Sequence, residues 1–216
     1  MSKHTLALFL VLIALAACQK KGGEPAKTPA TPAPPGAAAT EEPTVPFLVK
    51  LETTCGDIVV KVHPDWAPIA AKRFKELVKI GFYDGCRFFR VAKGFVVQFG
   101  INGDPTLNSR WAEFGIRDEP VKVTNRKGTL TFAMSSAPNS RTTQLFFNMR
   151  DNSGLDPRGF APFAEVVEGW DTVERINPKY GEQPSAEQGR INAEGNAFLD
   201  AAYPGLDHIR KATILP

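Results

Sequence analysis

Phe88-Phe89-Arg90-Val91-Ala92-Lys93-Gly94-Phe95-Val96-Val97-Gln98-Phe99-Gly100 places one arginine and one glutamine among apolar residues. Lys93-Gly94 reads as a turn, which splits the stretch into two strands, roughly 87–91 and 96–100. On alternating strands Phe88, Arg90, Val96 and Gln98 share one face. A buried guanidinium is costly unless it is paired. Either a carboxylate neutralises Arg90, or the residue lines a cleft that receives a ligand.

Working outward, Phe47–Thr53 and Ile58–Val62 alternate apolar and polar residues around Thr54-Cys55-Gly56-Asp57, the pattern of an antiparallel hairpin. Asp65 is placed to cap a helix with Pro68 in its first turn. Ala70, Phe74, Leu77 and Val78 then fall on one helical face, and Gly81 ends it. Residues 101–128 are polar and irregular, an excursion that more often serves function or decoration than packing. Short strands are predicted at Leu130–Ala133, Leu145–Met149, Pro162–Val167 and Ile209–Leu215. A short helix is predicted over Trp170–Ile176, a loop over Asn177–Gln188 and an extra helix over Ala193–Ala202. Many short strands with two principal helices predict a mainly β fold, a closed β-barrel with helices at its ends.

The N-terminal residues have another character. Lys3 is followed by an apolar run, Thr5 to Ala17, too short and wrongly flanked to span a bilayer as a helix. It ends in Leu15-Ala16-Ala17-Cys18, which resembles the lipobox of bacterial lipoproteins. That resemblance implies a signal peptide over 1–17, cleaved before Cys18, with Cys18 carrying the lipid; the other reading is an ordinary signal peptide with an incidental cysteine. Gln19, rather than Asp, implies sorting to the outer membrane in a Gram-negative cell, facing the periplasm. Residues 18–46 form a Pro/Ala-rich linker with no core-forming residues, extended and semi-rigid. The remaining 47–216, about 170 residues, suffice for one domain with a sizeable core.

Composition narrows the function. The formal charge is +3 and the pI about 8.8. No Lys/Arg stripe with interleaved aromatics is present, so nucleic acid is not an expected partner. Beyond Cys18 there are two cysteines, Cys55 and Cys86. Export would permit a disulfide between them; two independent buried thiols is the other reading. No Cys-x-x-Cys spacing suggests redox catalysis. Outside the signal the histidines are His63 and His208, without metal-ligand spacing. There is no P-loop, no Gly-x-Gly-x-x-Gly after a strand and no Gly-x-Ser-x-Gly. What remains is an apolar cleft with a few polar groups. That suits rotation about an amide, a reaction that breaks no bond and needs no nucleophile, metal or cofactor.

Phe88-x-Arg90-Val91, Gly94-Phe95-x-x-Gln98-x-Gly100, Gly128-Thr129-Leu130-x-x-Ala133, Thr143-Gln144-x-Phe146-Phe147-Asn148, Leu155-Asp156 and Phe163-x-x-Val166-Val167-Glu168-Gly169 follow one another in this chain. In that order they resemble the cyclophilin-type peptidyl-prolyl cis-trans isomerases across nearly all of the chain after the linker. The resemblance implies an eight-stranded antiparallel barrel that accelerates rotation of X–Pro bonds in unfolded or flexible exported proteins. It implies that Arg90 is the catalytic donor, with Gln98 holding a substrate carbonyl and helping to position Arg90. Phe95, Val96, Phe146 and Leu155 would form the proline pocket, and Ala133, Met134 and Gln144 the groove for the preceding residues. Phe160 would sit at the pocket edge, where many members have histidine. Phe89 would stand beside the substrate, again in place of histidine. Read singly, Phe95, Phe146 and Leu155 could be plain core and Arg90 a structural ion pair. The segment Gln188–His208 has no counterpart in the shortest members. The resemblance implies no metal, cofactor or nucleotide, and a monomer is expected. The rival reading is a binding module or chaperone of the same fold, which holds proline-containing peptides with little catalysis.

Overall fold

The computed structural model describes residues 42–216. The expected signal peptide, the expected lipidation site Cys18 and the expected linker up to residue 41 therefore lie outside the described residues. Eight strands form one antiparallel sheet: β1 Phe47–Thr53, β2 Gly56–Val62, β3 Arg90–Ala92, β4 Val96–Phe99, β5 Thr129–Phe132, β6 Leu145–Asn148, β7 Pro162–Glu168 and β8 Ile209–Ile214. Their order is β3-β4-β6-β5-β7-β2-β1-β8. The fold is thus mainly β with the expected strand number. Closure is looser than expected, because β3 and β8 share no ladder. The seam is a short patch in which residues before β3 meet those leading into β8. It holds the Arg87–His208 bridge and the backbone bonds Ile209 N to Cys86 O (3.0 Å) and Phe88 N to Asp207 O (2.9 Å).

Period-two alternation sorts the side chains. Opposed residues in adjacent strands share a face, so Val91, Val97, Phe147 and Leu130 make one row and enter the main core. Their neighbours Arg90, Gln98 and Phe146 make the row on the other face. The alternation breaks before β3: Phe88 is not on a strand and joins the main core rather than the face of Arg90. The seam bonds set this, since the chain at 86–88 is already committed to residues 207–209.

Helix α1, Pro68–Lys79, buries Ala70, Phe74, Leu77 and Val78 as its periodicity predicts. Its N-terminus differs from the expected one. Ala67, not Asp65, is the cap residue and makes no side-chain bond. Glu119, far along the chain, instead accepts from Ile69 N (2.8 Å) and Ala70 N (2.9 Å), placing a carboxylate on the positive end of the helix. The 101–128 excursion thus has structural work. It also contains a second helix, α2 Pro105–Ala112, capped by Asp104 through Thr106 N (2.8 Å), which drives Trp111 into the core. Helix α3, Trp170–Arg175, agrees with expectation. The extra helix over Ala193–Ala202 is two helices, α4 Gln188–Glu194 and α5 Asn196–Ala202, broken at Gly195 with φ +64°. A Cβ at Gly195 would lie 2.0 Å from Gly103 O, so only glycine permits this approach. A single 3-10 turn, Gln183–Glu187, occupies the predicted loop.

Cys55 and Cys86 are both free. The Cys86 thiol is fully buried, donates to Phe82 O (3.4 Å) and is pushed up in pKa by its burial. Cys55 is half-buried beside Thr53 (3.3 Å). Thiol labelling of the unreduced chain in denaturant, read by peptide mapping, should find both cysteines modified. In native buffer Cys86 should stay unmodified while Cys55 reacts slowly.

Candidate active site

Three strands and one turn build the cleft. β3 presents Arg90, β4 presents Val96 and Gln98, and β6 presents Phe146, all on the outer face of the sheet. The 3-10 turn Ser153–Arg158 brings Leu155 alongside. Val96, Phe146 and Leu155 form a small apolar cluster of their own, flanked by Phe95, Ala133 and Phe160 and separate from the main core. Phe160 meets Phe146 edge-on at 5.7 Å between centroids. This apolar nest opens into a cavity of about 300 Å³ lined also by Arg90, Gln98, Met134, Arg158 and Gln188. A second cavity of similar size adjoins it, lined by Gln144, Ser135, Ser140 and Thr142 and sharing Gln98, Ala133, Met134 and Gln188.

Polar groups at the mouth form a chain. Arg90 Nη1 donates to Gln98 Oε1 (3.1 Å), Gln98 Nε2 to Gln144 Oε1 (2.8 Å), and Gln144 Nε2 to Gln188 Oε1 (3.0 Å). Because arginine only donates, it fixes the direction of every amide along the chain. On its other flank Arg90 Nε donates to Glu182 Oε1 (2.6 Å), and Nη2 contacts the same oxygen. Of the five guanidinium donors, three face Gln98 or Glu182, which leaves two for a ligand. The Arg90 Cζ stands 5.7 Å from the centre of the Phe95 ring.

Beneath the nest lies a buried amide network. Asn152 Nδ2 donates to Phe95 O (2.9 Å) and to Asn148 Oδ1 (2.8 Å). Asn148 Nδ2 donates to Thr129 Oγ1 (2.9 Å) and Asn125 Oδ1 (3.2 Å). Asn125 Nδ2 donates to Phe160 O (2.8 Å) and Asp156 Oδ1 (2.7 Å). Burial works to raise the Asp156 carboxyl, but bonds from Thr124 and Asn125 outweigh it and hold the group below the usual value. Such fully paired networks rigidify what they touch. Here they fix the backbones that carry Phe95, Leu155 and Phe160.

Arg90, Phe95, Val96, Gln98, Ala133, Met134, Phe146, Leu155 and Phe160 are therefore brought together, with Gln144 in the adjoining cavity. Phe89 is the correction. It is 1 % exposed and packs with Ile101, Ile191, Phe198 and Leu199 in a separate cluster, covered by α4 and α5. An apolar ring at this position finds more buried area against the two helices than at a wet cleft. The residues that sequence reasoning missed are Glu182, Gln188 and Arg158. Gln188 opens the segment Gln188–His208 and Glu182 lies just before it, and nothing local in sequence pairs them with Gln144 or Arg90. Among the described residues no group of three or more His, Cys, Asp or Glu could hold a metal ion.

Residues 48–194 match the family model described as cyclophilin type peptidyl-prolyl cis-trans isomerase. The chain is 36% identical over 137 residues to peptidyl-prolyl cis-trans isomerase B of Escherichia coli K12, covering 60% of this chain and 83% of that protein. It is 34% identical over 134 residues to a peptidyl-prolyl cis-trans isomerase of Acinetobacter baylyi, covering 60% and 71%. The crystal structure of a cyclophilin-type isomerase from Cryptosporidium parvum superposes with a TM-score of 0.59 at 22% identity, covering 80% of this chain and 99% of that one.

Proposed function

The chain belongs to the cyclophilin-type peptidyl-prolyl cis-trans isomerases, and on that premise we propose that it rotates X–Pro bonds of exported polypeptides from a lipid anchor on Cys18. Rotation about a peptide bond faces a barrier of about 18–20 kcal/mol, because the C–N bond has partial double-bond character. Twisting localises a lone pair on the prolyl nitrogen. A donor fixed opposite that nitrogen binds the twisted state better than the planar one, which is all that catalysis requires. The nest of Val96, Phe146 and Leu155 receives the prolyl ring. The second Nε2 hydrogen of Gln98 holds a substrate carbonyl, and the two remaining Arg90 donors meet the nitrogen. Ala133, Met134 and Gln144 receive the preceding residues. Clients are unfolded or flexible exported chains, since a shallow cleft recognises little beyond proline. The lipobox-like Leu15–Cys18 and Gln19 support an outer-membrane site facing the periplasm, and the protein acts as a monomer.

The observation that carries this reading is Arg90, held at the rim of an apolar nest with two donors to spare. The test is NMR exchange of a short X–Pro peptide with catalytic amounts of the protein. Acceleration of cis/trans exchange is the expected outcome; exchange at the uncatalysed rate would refute it. One observation favours the rival, a module that holds proline-containing chains without turning them over. The Glu182 carboxylate against Arg90 offsets the charge the reaction would use. In that case the peptide would bind, with shifted resonances, and exchange no faster.

A further inference from the structure

We infer that Glu182 is a positioning residue for Arg90, delivered by residues 181–202, the segment that runs through the 3-10 turn, α4 and α5 and thereby forms part of the catalytic apparatus. The inference rests on the isomerase reading above. Its basis is the way that segment is docked. Phe89 seats α4 and α5 from below, packing against Ile191, Phe198 and Leu199. Asn196 fixes it laterally, with its N donating to Gly103 O (3.1 Å) and its Nδ2 to Gly85 O (3.1 Å). Upstream, Val91 N of β3 donates to Gly181 O (2.9 Å). The segment before the 3-10 turn is thus stitched to the strand that carries Arg90, one residue from each partner of the ion pair. Glu182 follows Gly181 and Arg90 precedes Val91, so the stitch brings the two side chains together.

The carboxylate has two opposing effects. It partly cancels the field of the guanidinium at a substrate nitrogen, which slows rotation. It also fixes a long, rotamer-rich side chain in one place, which speeds rotation by making the donors ready before the substrate twists. The geometry favours the second effect. Glu182 Oε1 takes Nε and Nη2 together while Gln98 takes Nη1, so the guanidinium plane is gripped on two flanks. Glu182 is also largely exposed at the rim, where water screens the charge cancellation.

The experiment uses the full chain with Glu182→Ala, Glu182→Gln and Arg90→Ala, all in the X–Pro exchange assay. Glu182→Ala should lower kcat about tenfold, equivalent to ~1.4 kcal/mol of barrier, with KM near wild type. Glu182→Gln keeps an oxygen acceptor at the same reach and should restore kcat to within about threefold of wild type. The Arg90 Nε–H resonance, slow to exchange with water in the wild type and the Gln variant, should be lost in the Ala variant. An unchanged or raised kcat in Glu182→Ala, with Arg90→Ala still impaired, overturns this inference alone. Equal losses in the Ala and Gln variants with a lowered Tm would mark Glu182 as merely structural and overturn it too. If Arg90→Ala is fully active, the isomerase mechanism itself falls.

Discussion

Replacing Arg90 with alanine should lower kcat/KM for an X–Pro peptide roughly 10²–10³-fold, about 3–4 kcal/mol of barrier, with the fold intact. The size follows from removing a preorganised donor aimed at charge that exists only in the twisted state. Loss should fall on kcat and spare KM, because Val96, Phe146 and Leu155 still bind the prolyl ring. Stability should change little. Arg90 pairs with an exposed carboxylate at the rim, and such pairs contribute about 0–1 kcal/mol. Arg90→Lys should recover little activity. An ammonium cannot donate to Gln98 and Glu182 and still present two fixed donors to a substrate. Exchange kinetics and thermal melts on the same samples check both halves. A loss below about threefold with an unchanged melt would remove Arg90 from the mechanism.

Phe89→Ala should cost about 3–4 kcal/mol, because a fully buried phenyl leaves a cavity that the docked helices cannot fill without moving. In a domain of this size that lowers Tm by roughly 10 °C. The damage should be local first. Amides of α4 and α5, which rest on Phe89, should lose hydrogen-exchange protection before those of β1, β2 and β7, which belong to the main core. Since Gln188 begins α4 and Glu182 lies one 3-10 turn before it, activity should fall as well, although Phe89 lies outside the cleft. Exchange measured by mass spectrometry would show the order of loss. Uniform loss across the sheet would mean that α4, α5 and the sheet unfold as one unit.

The residues of the cleft were readable in sequence where they sit on strands. Successive side chains on a strand face opposite sides, so once 96–99 is read as a strand Gln98 and Val96 fall on one face and Val97 and Phe99 on the other. Leu155 and Phe160 depended on family resemblance, because a 3-10 turn has no periodicity strong enough to place them. Helix α2 carried its own signal, the Asp104-Pro105 start, but its polar composition hid it. Contacts between distant segments left no local trace. Glu119 on α1, Glu182 on Arg90 and α4–α5 over Phe89 each join residues dozens of positions apart. Position in the family motif puts Phe89 at the cleft, and burial beneath α4 and α5 takes it away. The residue type already argued otherwise, since a phenyl ring in place of an imidazole calls for a dry neighbour.

The stitch between Val91 N and Gly181 O bears on a different hazard. If its clients are unfolded chains, as proposed, the protein meets extended backbones seeking partners. A bare β3 at the end of the sheet would be a template for them, and strand addition there could seed co-aggregation. In this molecule the outer side of β3 is engaged by Gly181 through Val91 N, and the segment just before it by residues 207–209. On the proposed reading a client chain would be steered toward the side-chain-lined cleft, to be held briefly through a proline ring. It is kept from the backbone edge, where it would be held for long through a ladder of hydrogen bonds.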